Sequence, residues 1–189
     1  MKSAPFEYAR AASLAEAGDL LSRHGDGAKL IAGGQSLVPM MAMRLVRPAF
    51  LVDINEIAAL KFVKPEKDAV RIGACTRQCA VERDELLAAR VPLVRQALAW
   101  VGHVQTRNRG TVGGSLAHAD PSAELPLVAQ TLGAKMVVRS AKGLRTLQAE
   151  KFFSGPMATA MSADECLEEI NWPAWSERDR KSTRLNSSH

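Results

Sequence analysis

The chain is poor in the residues from which metal centres and disulfide frameworks are built. Its 189 residues include three cysteines, Cys75, Cys79 and Cys166. Three cysteines form no even disulfide framework, and a Cys-x-x-x-Cys spacing without further ligands makes a poor zinc or iron–sulfur site. They read as ordinary thiols, small apolar side chains in effect, so any metal cluster has to sit on another chain. HExxH, a Walker loop and a nucleophile paired with a base are all missing. That leaves acid–base or hydrolytic catalysis without support and assigns the chain no catalytic residue and no metal ligand of its own. No apolar run reaches membrane-spanning length, and Met1-Lys2-Ser3-Ala4-Pro5 leads into polar and charged residues, not the apolar core of a signal peptide. The expected location is the cytoplasm. A formal net charge of +5 also says less than it suggests. Residues 178–189 hold Arg178, Arg180, Lys181 and Arg184 against Asp179, a net +3, which leaves +2 for the rest and no basic face for nucleic acid. Neither an internal repeat nor a low-complexity linker is evident in residues 1–173.

What is present is a globular composition, 47% hydrophobic, sufficient for one ordinary domain or two small lobes sharing a core. Phe6-Glu7-Tyr8 opens a strand, and Ser13-Leu14-Ala15-Glu16 is a capping box before a helix over 17–24 that Gly25 stops. A strand over 29–32, a helix over 37–45 capped by Ser36, and a strand over 50–54 follow. Residues 1–55 thus form a small α/β lobe. Residues 56–175 form a larger mixed lobe. In it, strands over 61–63 and 69–72 flank a proline turn, Thr76 caps a helix to Glu82, and Pro92 opens a helix over 93–101 with Leu93, Val94, Ala97, Leu98 and Val101 in the core. A helix over 125–132 stopped by Gly133, a hairpin around Lys142-Gly143 and a last strand over 165–172 complete it. From Ser176 the texture changes to charge and small polar residues without periodicity, a tail over 176–189 that reads as non-native or disordered.

Two glycine pairs stand out. Ala32-Gly33-Gly34-Gln35-Ser36-Leu37 follows the apolar run Lys29-Leu30-Ile31 and precedes a helix, the order strand, glycine turn, helix start that suits a phosphate. Thr111-Val112-Gly113-Gly114-Ser115 is a second pair, expected to take φ > 0 and present its N–H groups to a ligand. Asp120-Pro121-Ser122-Ala123-Glu124 reads as a turn into a helix capped by Ser122, leaving Asp120 free to accept hydrogen bonds from sugar hydroxyls. Two such nests can hold one diphosphate.

These motifs in this order, with Pro39-Met40-Met41 to Arg44-Leu45 and Arg107-Asn108-Arg109-Gly110 to Ala119-Asp120-Pro121, resemble the FAD-binding medium subunit of molybdenum hydroxylases, the carbon monoxide dehydrogenase and xanthine dehydrogenase flavoprotein family. The resemblance covers residues 1 to about 173 and implies an α+β, two-lobed FAD-binding domain of the PCMH type, lacking the family's C-terminal lobe of roughly a hundred residues. It also implies an oxidoreductase subunit that transfers electrons and does not itself oxidise the substrate. Substrate electrons would leave at a molybdenum cofactor on a large subunit, cross two iron–sulfur clusters on a small subunit, and reach FAD here before passing to an acceptor such as a quinone or NAD. Residues Ala32, Gly33, Gly34, Gln35, Ser36 and Leu37 would hold the diphosphate. Thr111, Val112, Gly113, Gly114 and Ser115 would cover its other side, with Asp120 and Glu124 accepting sugar hydroxyls and Leu167 against the flavin. Ser115 stands where many relatives have Asn, a shorter reach for one hydrogen bond. Arg107 and Arg109 would either face the iron–sulfur partner or flank the turn, and His103 and His118 would pack around the site. Two other readings stay open: a stand-alone flavin oxidoreductase, and a truncated FAD-binding or scaffold protein without activity.

Overall fold

The computed structural model describes residues 2–175; the tail read at 176–189 lies outside the described residues. The chain opens with β1 (Glu7–Arg10), α1 (Leu14–His24), β2 (Ala28–Ile31), α2 (Leu37–Ala42) and β3 (Phe50–Asp53). The three strands are parallel, in the order β1-β3-β2, and parallel strands need crossovers, which the two helices provide. α1 starts where the sequence places a cap. Ser13 Oγ accepts from the Glu16 N–H at 3.1 Å, and the Glu16 carboxylate accepts from the Ala12 N–H at 2.8 Å. It stops at Gly25, whose φ of +52° costs a residue without Cβ little. Ala17, Leu20 and Leu21 on its buried face join Phe50, Val52 and Ile54 in one apolar cluster. α2 is shorter than expected: the chain turns away at Arg44, φ +60°, three residues before Arg47-Pro48.

The remaining elements are β4 (Val63–Pro65), β5 (Ala69–Gly73), α3 (Gln78–Arg83), α4 (Glu85–Arg90), α5 (Pro92–Leu98), α6 (Val104–Arg109), α7 (Val112–His118), α8 (Glu124–Leu132), β6 (Lys135–Ser140), β7 (Gly143–Gln148), α9 (Ala149–Phe152), β8 (Phe153–Gly155), β9 (Ala158–Thr159) and β10 (Cys166–Pro173). Five of the strands form an antiparallel sheet in the order β4-β5-β10-β6-β7, so the last described strand is the middle of the sheet. Its Ile170 and Trp172 are fully buried and belong to the larger core, with Val94 and Leu98 of α5, Leu116 of α7 and Leu125 of α8. A bulge at Glu168 shifts the register of β10 on β6 between Leu167 and Glu169, so buried positions run 166, 167, 169, 170 and 172 instead of alternating strictly.

One expectation for the helices fails here. Thr76 does not cap α3: its hydroxyl accepts from the Phe62 N–H and donates to the Phe62 carbonyl, both at 3.0 Å, tying the entry of α3 to the chain before β4. And a cap the sequence reading passed over exists at Asp84, which accepts from the Leu87 N–H at 3.0 Å and starts α4.

The burial contrast between two tryptophans gives a direct test. Trp172 is fully buried in the central strand and Trp100 is 80% exposed. Trp172→Ala should cost about 3–5 kcal/mol, and Trp100→Ala less than about 0.5 kcal/mol, in urea unfolding followed by circular dichroism.

Candidate functional site

The two glycine pairs, far apart in sequence, are pressed together. From β2 the chain turns through residues 32–36 into α2, with Gly34 at φ +71°. Gly33 is required for another reason. A Cβ there would lie 2.5 Å from the Arg109 carbonyl oxygen and 2.8 Å from the Gly110 Cα, so no side chain fits between this turn and the end of α6. Among the described residues, none of the four N–H groups of residues 33–36 donates a hydrogen bond to the protein. Unpaired backbone donors at a turn entering a helix are what an anion needs. Gln35 Nε2 braces the turn by donating to the Gly33 carbonyl at 3.1 Å. Ser36 makes no capping bond, contrary to expectation, because its own backbone is already helical, φ −107° and ψ −50°.

The second pair is not a nest. Gly113 and Gly114 lie in the first turn of α7 and neither has positive φ. The Thr111 hydroxyl caps the helix by accepting from the Gly114 N–H at 3.1 Å. The neighbouring N–H groups are also spent: Val112 donates to the Thr76 carbonyl, Gly113 to the Ala74 carbonyl and Ser115 to the Thr111 carbonyl. These glycines serve packing. A Cβ on Gly113 would lie 2.5 Å from the Ala74 Cβ, and one on Gly114 2.6 Å from Thr111 Oγ1. The helix start therefore sits directly on the end of β5 and offers a ligand its side chains and a bare surface at Gly114.

After α7, Ala119 takes the left-handed conformation, φ +52°. Asp120 Oδ1 accepts from the Ser122 N–H at 2.8 Å, an Asx turn. Ser122 is consequently the donor and not the cap; Ala123 precedes α8, and Glu124 opens it.

These segments enclose one cavity of about 600 Å³. Ala32, Gly33, Gly34, Gln35, Ser36 and Leu37 line one wall. Thr111, Gly113, Gly114 and Ser115, then Asp120 and Glu124, line another, and Leu167 reaches the cavity from β10. Val112 is the exception: its side chain is fully buried in the larger core. Of the two flanking arginines, Arg107 is buried and its Nε pairs with Glu82 at 2.8 Å. Its Nη1 also donates to the carbonyls of Val101 and Gly102, bracing the turn before α6. The Arg109 side chain is exposed. His118 borders the cavity, whereas His103 is exposed at the start of α6.

Sequence reasoning missed several contributors. Met157, Thr159 and Met161 line the cavity, brought there by a turn in which Met157 takes φ +56° and donates its N–H to the Ala119 carbonyl at 2.8 Å. Gly155-Pro156, immediately before Met157, is the local turn signal that could have located it. Asn55 and Arg77 lie behind the walls and bind them, as described below.

Burial sets the ionisation of the two cavity cysteines: it pushes Cys75 up to about 11 and Cys166 up to about 12, so both are neutral thiols at pH 7. For Glu165, hydrogen bonds from the Arg145 guanidinium, both at 2.6 Å, outweigh burial and hold the carboxyl below its ordinary range, with the Ser162 N–H adding to the effect. Its folded-state pKa being depressed, the ionised carboxylate contributes stability above the unfolded value, about 4.3, and that contribution disappears as pH falls through the lower folded value. The urea midpoint should therefore drop on acidification below the ordinary Glu range, and Glu165→Gln should flatten that drop while lowering the midpoint at pH 7.

A cavity with unpaired N–H groups along one wall and hydroxyl and carboxylate acceptors along the other has the donors and acceptors that suit a diphosphate-bearing cofactor. The comparisons specify which. The sequence model of the FAD binding domain in molybdopterin dehydrogenase matches residues 4–175, and the chain belongs to that family. It is 42% identical over 174 residues to caffeine dehydrogenase subunit beta of Pseudomonas sp. strain CBB1, covering 92% of this chain and 59% of that protein. Among solved structures, a chain of carbon monoxide dehydrogenase from Hydrogenophaga pseudoflava superposes with a TM-score of 0.92 at 38% identity, covering 94% of this chain and 62% of its own. A chain of quinoline 2-oxidoreductase from Pseudomonas putida 86 gives 0.90 at 39%, covering 93% and 61%. The fold is thus the two-lobed α+β arrangement of these FAD-binding domains, and the chain spans about three fifths of the length of the relatives it matches.

Proposed function

We propose that this chain is the FAD-carrying part of the medium subunit of a molybdenum-containing dehydrogenase. In this reading it sits in the cytoplasm, with an iron–sulfur small subunit and a molybdenum large subunit as partners, and relays electrons to an external acceptor such as a quinone or NAD. The observation that carries it is the meeting of both glycine elements at one cavity, the first with its N–H groups unpaired. FAD fits what the residues offer: about 600 Å³ is within the range of small-molecule sites, and among the described residues the N–H groups of residues 33–36 have no partner within the protein.

When bound, FAD supplies the redox chemistry; the chain supplies grip, orientation and exclusion of water. The N–H groups of residues 33–36 would take the diphosphate, with Gln35 and Ser36 as added donors. Thr111 and Ser115 would face the ribityl chain, with Asp120 and Glu124 accepting hydroxyls. Leu167, Met161 and Val101 offer apolar surface to the ring system. Among the described residues no helix is long and apolar enough to cross a membrane, and no group of three or more His, Cys, Asp or Glu is placed to hold a metal ion.

Titration with FAD, followed by quenching of flavin fluorescence, should show saturable one-to-one binding. Ser36 is exposed and its side chain carries no structural bond, so Ser36→Asp tests the phosphate contact without disturbing the fold. A carboxylate placed about 4 Å from a phosphate costs several kcal/mol near a protein surface, so affinity should fall more than about tenfold, whereas Ser36→Ala should change it by less than about fivefold. Riboflavin binding as tightly as FAD, or no saturable binding of FAD, would refute the assignment.

A further inference from the structure

The two cavity walls touch without bonding to each other directly. The Gly33 turn lies so close to α6 that a Cβ would meet the Arg109 carbonyl, yet among the described residues no backbone hydrogen bond joins residues 32–37 to residues 109–115. The connection runs through two side chains that do not line the cavity. Asn55, just after β3, donates from Nδ2 to the Ala32 carbonyl at 2.7 Å and to Asp53 Oδ1 at 2.7 Å. Its Oδ1 accepts from Arg77 Nη2 at 2.8 Å. Arg77 Nη1 donates to the Arg109 carbonyl, the same oxygen that excludes a side chain at position 33.

Each link has only one way to form. The Asp53 carboxylate can only accept, so the Asn55 amide must turn Nδ2 toward it and Oδ1 toward Arg77. Asp53 is itself fixed by the Tyr8 hydroxyl at 2.5 Å. At the other end, Arg77 is anchored through its backbone neighbourhood: it bridges Thr111, and the Gln78 N–H donates to the Gly110 carbonyl at 2.9 Å. A guanidinium has two nitrogens in a rigid fork to serve two acceptors at once, which an ammonium lacks.

We propose that Arg77, acting through Asn55, is a positioning residue for FAD: it sets the separation of the turn that takes the diphosphate from the α6–α7 wall that faces it. This rests on the reading of the cavity as the FAD site. A ligand that spans both walls feels their separation in its affinity and in the asymmetry of its surroundings. A residue that merely stabilised the fold would alter neither in the folded protein.

The test is FAD titration of the full chain, with the visible circular dichroism of the bound flavin recorded at saturation and urea unfolding recorded without FAD. Arg77→Ala should raise the dissociation constant roughly tenfold or more, the loss expected for hydrogen bonds from a charged donor, and change the flavin dichroism at saturation. Arg77→Lys, which keeps the charge and loses the fork, should recover only part of the affinity and leave the dichroism altered. Asn55→Ser removes the relay with a smaller perturbation of the fold and decides the matter should Arg77→Ala fail to fold. Dissociation constants within about twofold of wild type for Asn55→Ser and Arg77→Lys, with unchanged dichroism, would overturn the role of Arg77 while leaving the FAD site standing. No binding by the wild-type chain would remove the FAD reading and this role together.

Discussion

The arrangement of the whole molecule depends on a contact that a single methyl group would prevent. Position 33 faces a carbonyl and an α-carbon of the other lobe at a distance that only glycine permits. Everything that makes the cavity follows from that closeness: the turn after β2 and the start of α7 share one space because their backbones can approach. Dispersion and hydrogen bonding then act on a gap too narrow for water. The same logic recurs at Gly113, whose missing Cβ lets α7 start on top of Ala74. Two glycines thus fix where two lobes meet, and the polar clamp through Asn55 and Arg77 acts on a geometry already narrow.

The electrostatics of the cavity differ between its segments. Residues 32–37 carry no carboxylate, and their exposed peptide dipoles favour negative charge. Of the acidic groups, Asp120, Glu124 and Glu165 lie on later segments, and Asp26 borders the cavity just before β2. Of these, Glu165 is neutralised by Arg145 and Asp120 has one oxygen committed to the Ser122 N–H. The N–H groups of residues 33–36 and the acceptors at Asp120 and Glu124 lie on different segments, and Glu165, just before the central strand, has its own counter-ion. The two cysteines add no charge.

Much of this was legible in the sequence, for reasons that can be named. Capping at Ser13, the stop at Gly25, proline at the start of α5 and the stop at Gly133 are local rules, and the fold obeys them. The glycine pairs meet at one cavity, and thirteen of the fourteen residues singled out line it. The mechanism inferred for the second pair was wrong, since Gly113-Gly114 reads equally as a turn and as a helix packed too closely for side chains; only the position of Ala74 separates the two. Ser36, Thr76 and Ser122 were each in a sequence context suited to capping, and each lost that role to a backbone conformation or a distant partner. Asn55 and Arg77 could not have been found, because neither belongs to a motif and the oxygens they join are carbonyls, which every residue has. The bulge at Glu168 was equally silent.

The position of β10 bears on how the protein comes into being on the ribosome. The three strands of the smaller sheet are all present by Asp53 and can pair early, although Cys75 and Cys166 join their core later. The larger sheet cannot, because the strand at its centre is the last of those described. Until that strand has emerged, β5 and β6 each present an unpaired edge, and the two glycine pairs exist without Leu167, which reaches the cavity from that strand. Assembly of the cavity is therefore a late, long-range event that includes contacts between residues about a hundred positions apart, and slow for that reason. In the interval the nascent chain exposes the kind of edge that other chains can join.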